Sequence, residues 1–392
     1  MLKSRKRFTD REYSNRLNKT RDAMQKSGIE LLVVTDPSNM YWLTGYDSWS
    51  FYVHQCVVVG LEDLFWFGRI IDAQGARLTT SLSEENIIDY PDDYVMSTQR
   101  HPMDFLSGVL RQRGLDKLRI GLEKDNYYFS ASAMEAIIKG CPEAQIIDAT
   151  GLVNWQRAIK SEQELGYMKR AGSIIEKVYQ RVIQVAEPGM RKNELAAEIL
   201  HAGTLGTEEY FGDYTAIVPL IGAGEEASAC HITWDNGQLQ KNTGVFLELA
   251  AAHARYHCPC SRTLYFGSPP EKYRDIEKVI AEGIDVTLDH FKPGNSCGEV
   301  AAVFFNLLKK YGYKKDNRCG YSIGLSYPPD WGERTMSLRT SDDTIIQPGM
   351  CFHFMPGMWF DDWGFEMTES VTITEKGAEC LSSVPRELLV IH

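Results

Sequence analysis

Residues 188–197 read PGMRKNELAA and residues 293–302 read PGNSCGEVAA, and these two segments decide the fold. Each opens with a Pro-Gly pair, a common terminator of helices. Glu194 and Glu299 then fall at the same offset, and each precedes one hydrophobic residue and two alanines. Chance supplies a second Pro-Gly pair more easily than it supplies the whole matched pattern. The two segments therefore indicate an internal duplication.

A helical pattern precedes each segment and a strand-rich stretch follows it. Ser161 and Glu164 form a capping box at the start of the first helix, and hydrophobic residues at helical spacing mark the second helix at 276–288. The strand-rich stretches are 216–265 and 321–374. A helix-plus-sheet repeat of this length is half of a domain, not a solenoid unit. We predict a C-terminal domain of two similar halves that flank a site on a pseudo-two-fold axis.

The residues before the repeat show an α/β pattern with no glycine-rich phosphate loop. The predicted elements are a helix after the capping box Thr9-x-x-Glu12, strands at 31–34, 57–59 and 64–67, a turn at 36–39 that closes the first strand, and a helix at 132–139. We therefore predict a mixed α/β (α+β) protein with one domain over residues 1–155 and a second over residues 156–392.

Composition excludes several classes of protein. The chain has 392 residues, 43% of them hydrophobic and 24% charged, which is typical of globular proteins with more than one domain. A net charge of −11 argues against a nucleic-acid partner, because phosphate contacts need clustered Lys and Arg. The chain lacks an apolar run of the roughly 20 residues that span a bilayer. The 9 cysteines form no disulfide framework, so we predict reduced thiols and a cytoplasmic location without a membrane partner.

Further motifs make the sequence similar to a known family. The segments QPGM at 347–350 and TITEKG at 372–377, together with the duplication, resemble the creatinase, aminopeptidase P and methionine aminopeptidase family. Residues 10–68 are similar to the N-terminal domain of that family, and the segments SNMYWLTGY at 38–46 and WSFYVHQC at 49–56 look most like its ectoine-hydrolysing members. The resemblance implies a creatinase-like N-terminal domain and a C-terminal domain with the pita-bread fold.

The metal ligands of the family are not kept in this sequence. Its peptidases hold two metal ions with two Asp, one His and two Glu. The resemblance places these positions on Glu248, Pro259, Tyr321, Met355 and Thr368, with Glu369 as the alternative for the last if the register slips by one. Hard divalent ions need several oxygen and nitrogen donors, and one carboxylate with a tyrosine and a thioether does not supply them. The departures imply a metal-independent member of the family with no cofactor.

Four side chains are predicted to carry the chemistry. Glu248 lies in a strand pattern that otherwise reads as buried, so we expect a cationic partner or a raised pKa. By the resemblance, His231 matches the proton-handling histidine of the family, although a packed core histidine is the alternative. Tyr321 and His353 complete the catalytic set, and His353 faces the same side as the former metal position two residues later. The same alternation brings in Glu366, for which a surface strand position is the alternative.

The absence of metal ligands and the presence of Glu248 favour a cationic substrate. The ligand implied by the resemblance, ectoine, is a zwitterion in which a cyclic amidinium carries a carboxylate. We predict a hydrolase that opens this ring to N-acetyldiaminobutyrate. Glu248 attacks the amidinium carbon or acts as the base for a water, and His231 moves the proton. Tyr321 and His353 orient the ring or stabilise the tetrahedral species.

Substrate binding is assigned to Glu366 and to three aromatic side chains, Trp49, Tyr52 and Tyr256. In this family the N-terminal domain of one subunit often closes the site of the other, so the resemblance implies a homodimer. The alternative for Trp49 and Tyr52 is packing within their own domain. The sequence does not show which residue binds the substrate carboxylate, and Arg334 and Arg339 are among the candidates.

Three rival functions remain from the sequence. The first is a metal-dependent Xaa-Pro aminopeptidase, and the second is a creatinase-like hydrolase of amidines or guanidines, which shares the preference for a cation. The third is a binding module that kept the fold without catalysis. The retention of His231 and Glu248 at site positions argues against this third function.

Overall fold

The computed structural model describes residues 6–392. The chain divides into two compact units, Met1–Arg157 and Ala158–His392. None of the helices within residues 6–392 combines the length and the apolar character needed to cross a membrane.

The N-terminal unit is a six-stranded sheet with helices around it. Its helices are α1 (Asp10–Lys26), α2 (Pro37–Thr44), α3 (Ala73–Thr79), α4 (Pro102–Gln112), α5 (Ala131–Gly140) and α6 (Leu152–Gln156). Its strands are β1 (Leu31–Val34), β2 (Cys56–Gly60), β3 (Leu64–Arg69), β4 (Ile87–Tyr90), β5 (Arg119–Leu122) and β6 (Gln145–Asp148). The strand order is β4-β3-β2-β1-β5-β6, with β1 antiparallel to β2 and parallel to β5. The predicted strands and helices of this unit are confirmed.

The turn predicted at 36–39 was wrong, because these residues begin helix α2. The Asp36 carboxylate accepts a hydrogen bond of 2.8 Å from the backbone N–H of Ser38, which makes Asp36 the N-cap. Pro37 stands in the first turn of the helix, where its missing N–H removes no hydrogen bond. Asp-Pro is typical of both turns and helix starts, and here the buried residues that follow favour the helix.

The C-terminal unit holds four helices and the remaining strands of the described residues. Its helices are α7 (Glu162–Val185), α8 (Lys192–Leu205), α9 (Glu271–Leu288) and α10 (Cys297–Lys310). Its strands are β7 (Leu220–Ala223), β8 (Thr243–His253), β9 (Tyr256–Phe266), β10 (Gly320–Ile323), β11 (Gly332–Ser337), β12 (Cys351–Phe354), β13 (Met358–Trp359), β14 (Gly364–Phe365), β15 (Glu369–Thr374), β16 (Gly377–Cys380) and β17 (Leu389–Ile391). They form sheets in the orders β17-β9-β8-β7 and β11-β10-β12-β15-β16, and a small pair β13-β14.

The internal duplication is confirmed. Helices α8 and α10 each have 14 residues and follow a long helix, and each pair of helices is followed by its own sheet. Glu194 and Glu299 occupy the same position in the first turn of the two short helices. Their carboxylates accept the backbone N–H of Arg191 at 2.9 Å and of Ser296 at 2.7 Å. The pattern read in the sequence is therefore the same helix start used twice.

Strand alternation in the second half separates a hydrophobic face from a polar one. Phe352 and Phe354 of β12 lie in the hydrophobic core with residues of α9 and α10. His353 lies between them and so faces the other side of the sheet. Tyr321 of β10 is directly opposite His353 in the antiparallel register, so both side chains share that polar face.

Candidate active site

Glu248 lies in the middle of the long β8–β9 hairpin. It stands opposite Ser261 in the register, so these two side chains share one face. Glu248 is 3% exposed, and its carboxylate has no hydrogen bond or salt bridge to any other part of residues 6–392. Burial raises the pKa of Glu248 to about 7. The expectation of a raised pKa at this position is confirmed.

Glu366 is a second carboxylate in the same buried region. Its backbone is fixed to β9, because its N–H donates to Thr263 Oγ1 at 2.8 Å and its carbonyl accepts the Thr263 hydroxyl at 2.9 Å. The side chain is fully buried, and neither carboxylate oxygen has a hydrogen-bond partner among the described residues. The alternative of a surface strand residue is therefore wrong.

The two carboxylates act on each other. Burial raises the pKa of Glu366 well above its usual value, and the negative charge of Glu248 raises it further. The Lys315 ammonium and the nearby Ser261 hydroxyl, which lies outside hydrogen-bonding geometry, lower it. Two buried acids that oppose each other's ionisation are typical of sites that bind a cation or divide acid and base roles.

A chain of hydrogen bonds connects Tyr321, His353 and Thr368. His353 Nδ1 lies 3.1 Å from Tyr321 Oη, and His353 Nε2 lies 2.8 Å from Thr368 Oγ1. Trp331 Nε1 donates to Tyr321 Oη at 2.8 Å, and the Ser261 backbone N–H donates to Thr368 Oγ1 at 2.8 Å. An N–H group of the protein therefore donates to the residue at each end of this series of hydrogen bonds.

His353 is held in its neutral form. Burial, followed by the positive charges of Arg318 and Arg262, lowers its pKa to about 3. Both ring nitrogens are engaged by hydroxyl groups, so the geometry favours a positioning role over proton uptake from substrate. When Thr368 donates to Nε2 and Nδ1–H donates to Tyr321, the Tyr321 hydroxyl hydrogen is free to point elsewhere. Burial and then the charge of Glu248 raise the pKa of Tyr321, so the phenol also stays protonated.

Arg262 fixes the segment that carries Thr368. The guanidinium is fully buried and donates to the carbonyl oxygen of Thr368 and, at 2.7 Å, to Glu369 Oε1. Glu369 also pairs with Arg386 at 3.3 Å. Arg262 and Glu369 lie next to the site, but both side chains are used in contacts that stabilise the fold.

His231 lies outside this buried network. Its side chain is exposed in a turn before β8, and it makes no hydrogen bond to any other described residue. Burial raises the pKa of the adjacent Cys230 thiol, and the negative charges of Glu248 and Glu366 raise it further. Cys230 is therefore near the two carboxylates. His231 thus follows a residue that is near the carboxylates, but its own ring makes no contact with them, and its catalytic role stays a prediction.

Tyr256 does not join the carboxylates. It stands at the turn end of the β8–β9 hairpin, paired with His253, five residues from Ser261. At about 3.4 Å per residue this is a separation of about 17 Å along the strand. Its buried hydroxyl donates to Glu164 Oε1 at 2.6 Å. We therefore correct the prediction for Tyr256, because its hydroxyl is used to hold β9 against α7.

Trp49 and Tyr52 belong to the N-terminal unit, and each is 58% exposed. Tyr52 Oη accepts a hydrogen bond of 2.8 Å from Arg69, and the Trp49 ring lies 4.7 Å from that of Phe51. Neither is a core residue of its own unit. Their assignment to substrate binding stays a prediction.

Two cations near the site were missed from the sequence. Lys315 and Arg318 lie in the loop between α10 and β10. The Lys315 ammonium donates to the Gly357 carbonyl oxygen at 2.5 Å, and the Arg318 guanidinium lies 4.3 Å from the centre of the Tyr321 ring. Lys315 is one of several lysines at 309–315, a run that reads as a solvated surface. The sequence feature that could have identified Lys315 as a site residue is its position just before the strand of Tyr321.

The residues present do not fit a divalent metal centre. No group of three His, Cys, Asp or Glu side chains in residues 6–392 is arranged to hold a metal ion. The acids at the site are Glu248 and Glu366, and both nitrogens of His353 are engaged by hydroxyl groups. A dinuclear centre needs more donors than this set offers.

Comparisons with known proteins agree with the resemblance seen in the sequence. The profile of Metallopeptidase family M24 matches residues 166–375, and that of the Creatinase/Prolidase N-terminal domain matches residues 16–159. An ectoine hydrolase of Halomonas elongata is 49% identical over 98% of both chains. An uncharacterized hydrolase/peptidase of Sinorhizobium fredii is 41% identical, also over 98% of both chains. A Xaa-Pro dipeptidase of Pyrococcus furiosus is 26% identical over 59% of this chain and 65% of its own length.

Solved structures show the same fold at low identity. A prolidase from Thermococcus sibiricus has a TM-score of 0.84 and 18% identity and covers 97% of this chain and 99% of its own. A Xaa-Pro dipeptidase from Bacillus anthracis has a TM-score of 0.80 and 18% identity and covers 97% and 100%. The predicted mixed α/β class and pita-bread fold are therefore confirmed. The chain is a hydrolase that belongs to metallopeptidase family M24 and carries the creatinase/prolidase N-terminal domain of that family.

Proposed function

We propose that the chain hydrolyses the cyclic amidine ring of ectoine to N-acetyldiaminobutyrate and requires no metal ion. The observation that carries the proposal is the pair of buried carboxylates, Glu248 and Glu366, neither of which has a salt bridge within the described residues. The similarity to an ectoine hydrolase, at 49% identity over 98% of the chain, supports the choice of substrate.

An amidinium cation matches this pair in both charge and hydrogen bonding. Its two nitrogens carry a delocalised positive charge and N–H donors, and carboxylate acceptors form short, charge-assisted hydrogen bonds with such groups. The charge of the bound cation favours ionised Glu248 and Glu366, which burial and mutual repulsion otherwise disfavour. A guanidinium would satisfy the same pair, and the similarity to an ectoine hydrolase supports the choice of an amidinium.

The reaction needs attack at the amidinium carbon and cleavage of one ring C–N bond. Ionised Glu248 either accepts a proton from a water that attacks this carbon, or attacks the carbon itself; in the second case a water then attacks the acyl-enzyme and breaks the bond between Glu248 and the carbon. The new C–O bond forms as the C=N electrons move to nitrogen. One ring C–N bond then breaks, the leaving nitrogen takes a proton and becomes the amine, and the acetyl group stays on the other nitrogen. The net change is the addition of one water.

The surrounding residues have distinct tasks in this scheme. Glu366 accepts an N–H of the amidinium and orients the ring. The Tyr321 hydroxyl, positioned by His353 and Trp331, donates towards the oxygen that is added to the amidinium carbon. His231 remains the candidate for carrying protons between this buried region and solvent.

The structure's donor set argues for chemistry without a metal in this scheme. The amidinium carbon is electrophilic already, so an acid and a base suffice, and the residues at the site do not fit the ligands that the family's metallopeptidases use. A cytoplasmic location and a homodimer remain predictions. The exposure of Trp49 and Tyr52 is compatible with a contribution to a partner subunit.

Substitution of Glu248 tests the function directly. In E248Q we expect ectoine turnover to fall by about 10³-fold or more, because the amide neither attacks nor accepts a proton. Binding should persist, since the amide keeps the shape and one acceptor oxygen. The measurements are mass spectrometry of N-acetyldiaminobutyrate for turnover and calorimetry for binding.

E379Q is the matched control, because it makes the same change on an exposed carboxylate of β16. Turnover by E379Q should equal that of the wild type. Retention of a large part of the wild-type rate in E248Q would contradict the catalytic role of Glu248. Absence of acetylated product with the wild-type protein would contradict the proposed reaction.

A further inference from the structure

Lys315 lies at the edge of the carboxylate pair. Its ammonium donates to the carbonyl oxygen of Gly357 at 2.5 Å. Gly357 is packed directly against the site, because a Cβ at this position would lie 3.1 Å from Glu366 Cγ and 2.6 Å from the Trp359 ring. The ammonium therefore lies next to Glu366, although the two groups form no salt bridge in the described part of the chain.

Trp359 supplies a second donor at the same place. The Lys315 ammonium lies 4.7 Å from the centre of the Trp359 ring, a cation–π contact. The indole Nε1–H of Trp359 is buried and has no hydrogen-bond partner among residues 6–392. An unpartnered buried N–H is unfavourable because it has lost its hydrogen bonds to water, so a ligand that accepts from it would remove that cost. The other two N–H groups of Lys315 also lack a partner within the same residues.

The polar groups without partners thus fall into two sets of opposite kind. Glu366 Oε1 and Oε2 are acceptors that await a donor. Trp359 Nε1–H and the Lys315 ammonium are donors that await an acceptor. Gly357 stands between the two sets, in contact with Lys315, Trp359 and Glu366. A ligand that satisfies both sets has a cationic donor group and an anionic acceptor group a few bonds apart.

We propose that Lys315, assisted by the indole N–H of Trp359, binds the carboxylate of the zwitterionic substrate and so makes the enzyme specific for amidines that carry a carboxylate. The inference rests on the proposed function, since it names the half of the site that complements the amidinium half. Burial lowers the pKa of Lys315 to about 8, and the charges of Cys319 and Glu366 oppose that change, so the ammonium is still the main form at neutral pH.

The arginines considered from the sequence suit this task less well. Arg334 and Arg339 are both exposed. Arg318 is closer, but its guanidinium lies 4.3 Å from the centre of the Tyr321 ring and donates to Ser337 Oγ at 3.1 Å, so it is already engaged. When the substrate carboxylate contacts Lys315, the amidinium of the same substrate contacts Glu366. Each charged end of the substrate then meets a side chain of opposite charge.

The test compares two substrates in one assay. One is ectoine, and the other is the same cyclic amidine without its carboxylate, 2-methyltetrahydropyrimidine. We expect the wild type to prefer ectoine by about 10- to 100-fold in kcat/KM, the usual worth of a hydrogen-bonded charge. In K315M the ratio should fall to near one, mostly through a higher KM for ectoine, whereas K315R should keep part of the preference.

K314M is the matched control, because Lys314 is the exposed neighbour that pairs with Asp316 at 2.6 Å. Its ratio should equal that of the wild type. A wild-type preference that persists in K315M, or that is lost in R318M alone, would overturn this inference and leave the proposed function standing. Turnover of neither amidine by the wild type would overturn both. K315Q serves as the second variant if K315M does not fold.

Discussion

At the scale of single residues, the site is defined by acids that the protein does not neutralise. Glu248 and Glu366 are buried, and each oxygen of Glu366 lacks a hydrogen-bond partner in the described residues. Elsewhere in this unit buried ions are paired, as Lys160 is with Glu333 at 2.5 Å. The contrast supports the proposal that the acid pair binds a ligand.

The pKa of Glu248 predicts a stability that depends on pH. Its pKa in the folded protein is about 7, against an ordinary value of 4.5, so the folded protein binds the proton more tightly than the unfolded chain does. Stability is therefore lost as the pH rises from about 4.5 through about 7. E248Q removes this ionisation, so it should be more stable than the wild type by roughly 1–3 kcal/mol at pH 8 and by much less at pH 5.

Urea unfolding of both proteins at the two pH values measures this difference. E379Q should match the wild type at both pH values, because it retains Glu248 and changes only an exposed side chain. An equal free energy of unfolding for E248Q and wild type at pH 8 would show that Glu248 ionises in the folded protein without penalty.

Sequence reasoning reached some of these residues and not others. Glu248, Glu366, Tyr321 and His353 follow from strand alternation and from motif positions, and both are local properties of the chain. Lys315 and Trp359 come together through Gly357, a contact between segments far apart in sequence. Tyr256 was misplaced because its distance from Glu248 depends on the register of the β8–β9 hairpin, which pairs Glu248 with Ser261 and leaves Tyr256 at the turn.

At the scale of elements, helix α7 has one feature that local sequence predicts, its start, and one that it does not, its close contact with a distant segment. Its start was predictable, since Ser161 and Glu164 make both bonds of a capping box. Its tight contact was not, because Gly172 faces the backbone of Leu381, more than two hundred residues further along. Local pattern predicts where a helix begins but not how closely another segment approaches it.

Two glycines of α7 make a matched pair for a test. A Cβ at Gly172 would overlap the Leu381 carbonyl oxygen, whereas one at Gly166 meets nothing within 4 Å. We expect G172A to destabilise the protein by about 1–3 kcal/mol through overpacking. G166A should stabilise it by about 0.5–1 kcal/mol, because alanine favours the helix. Denaturant unfolding measures both values, and equal effects would contradict the close approach of Leu381.

At the scale of the whole molecule, duplication is what the sequence displays most clearly. The matched segments at 188–197 and 293–302 are short and continuous in sequence, so the repeat is visible when their residues are compared directly. The site forms where the two halves meet: Glu248 comes from the first half, and Glu366, His353 and Tyr321 come from the second. Their distances depend on the packing of two sheets, which no local pattern encodes.

In the proposed function, a pair of acids replaces the metal ions of the family and acts on a cation. The most direct test is turnover of ectoine by protein dialysed against a chelator, with the metal content of the same sample measured by mass spectrometry. We expect an unchanged rate of product formation with far less than one metal ion per chain. Loss of activity on chelation that divalent ions restore would contradict it.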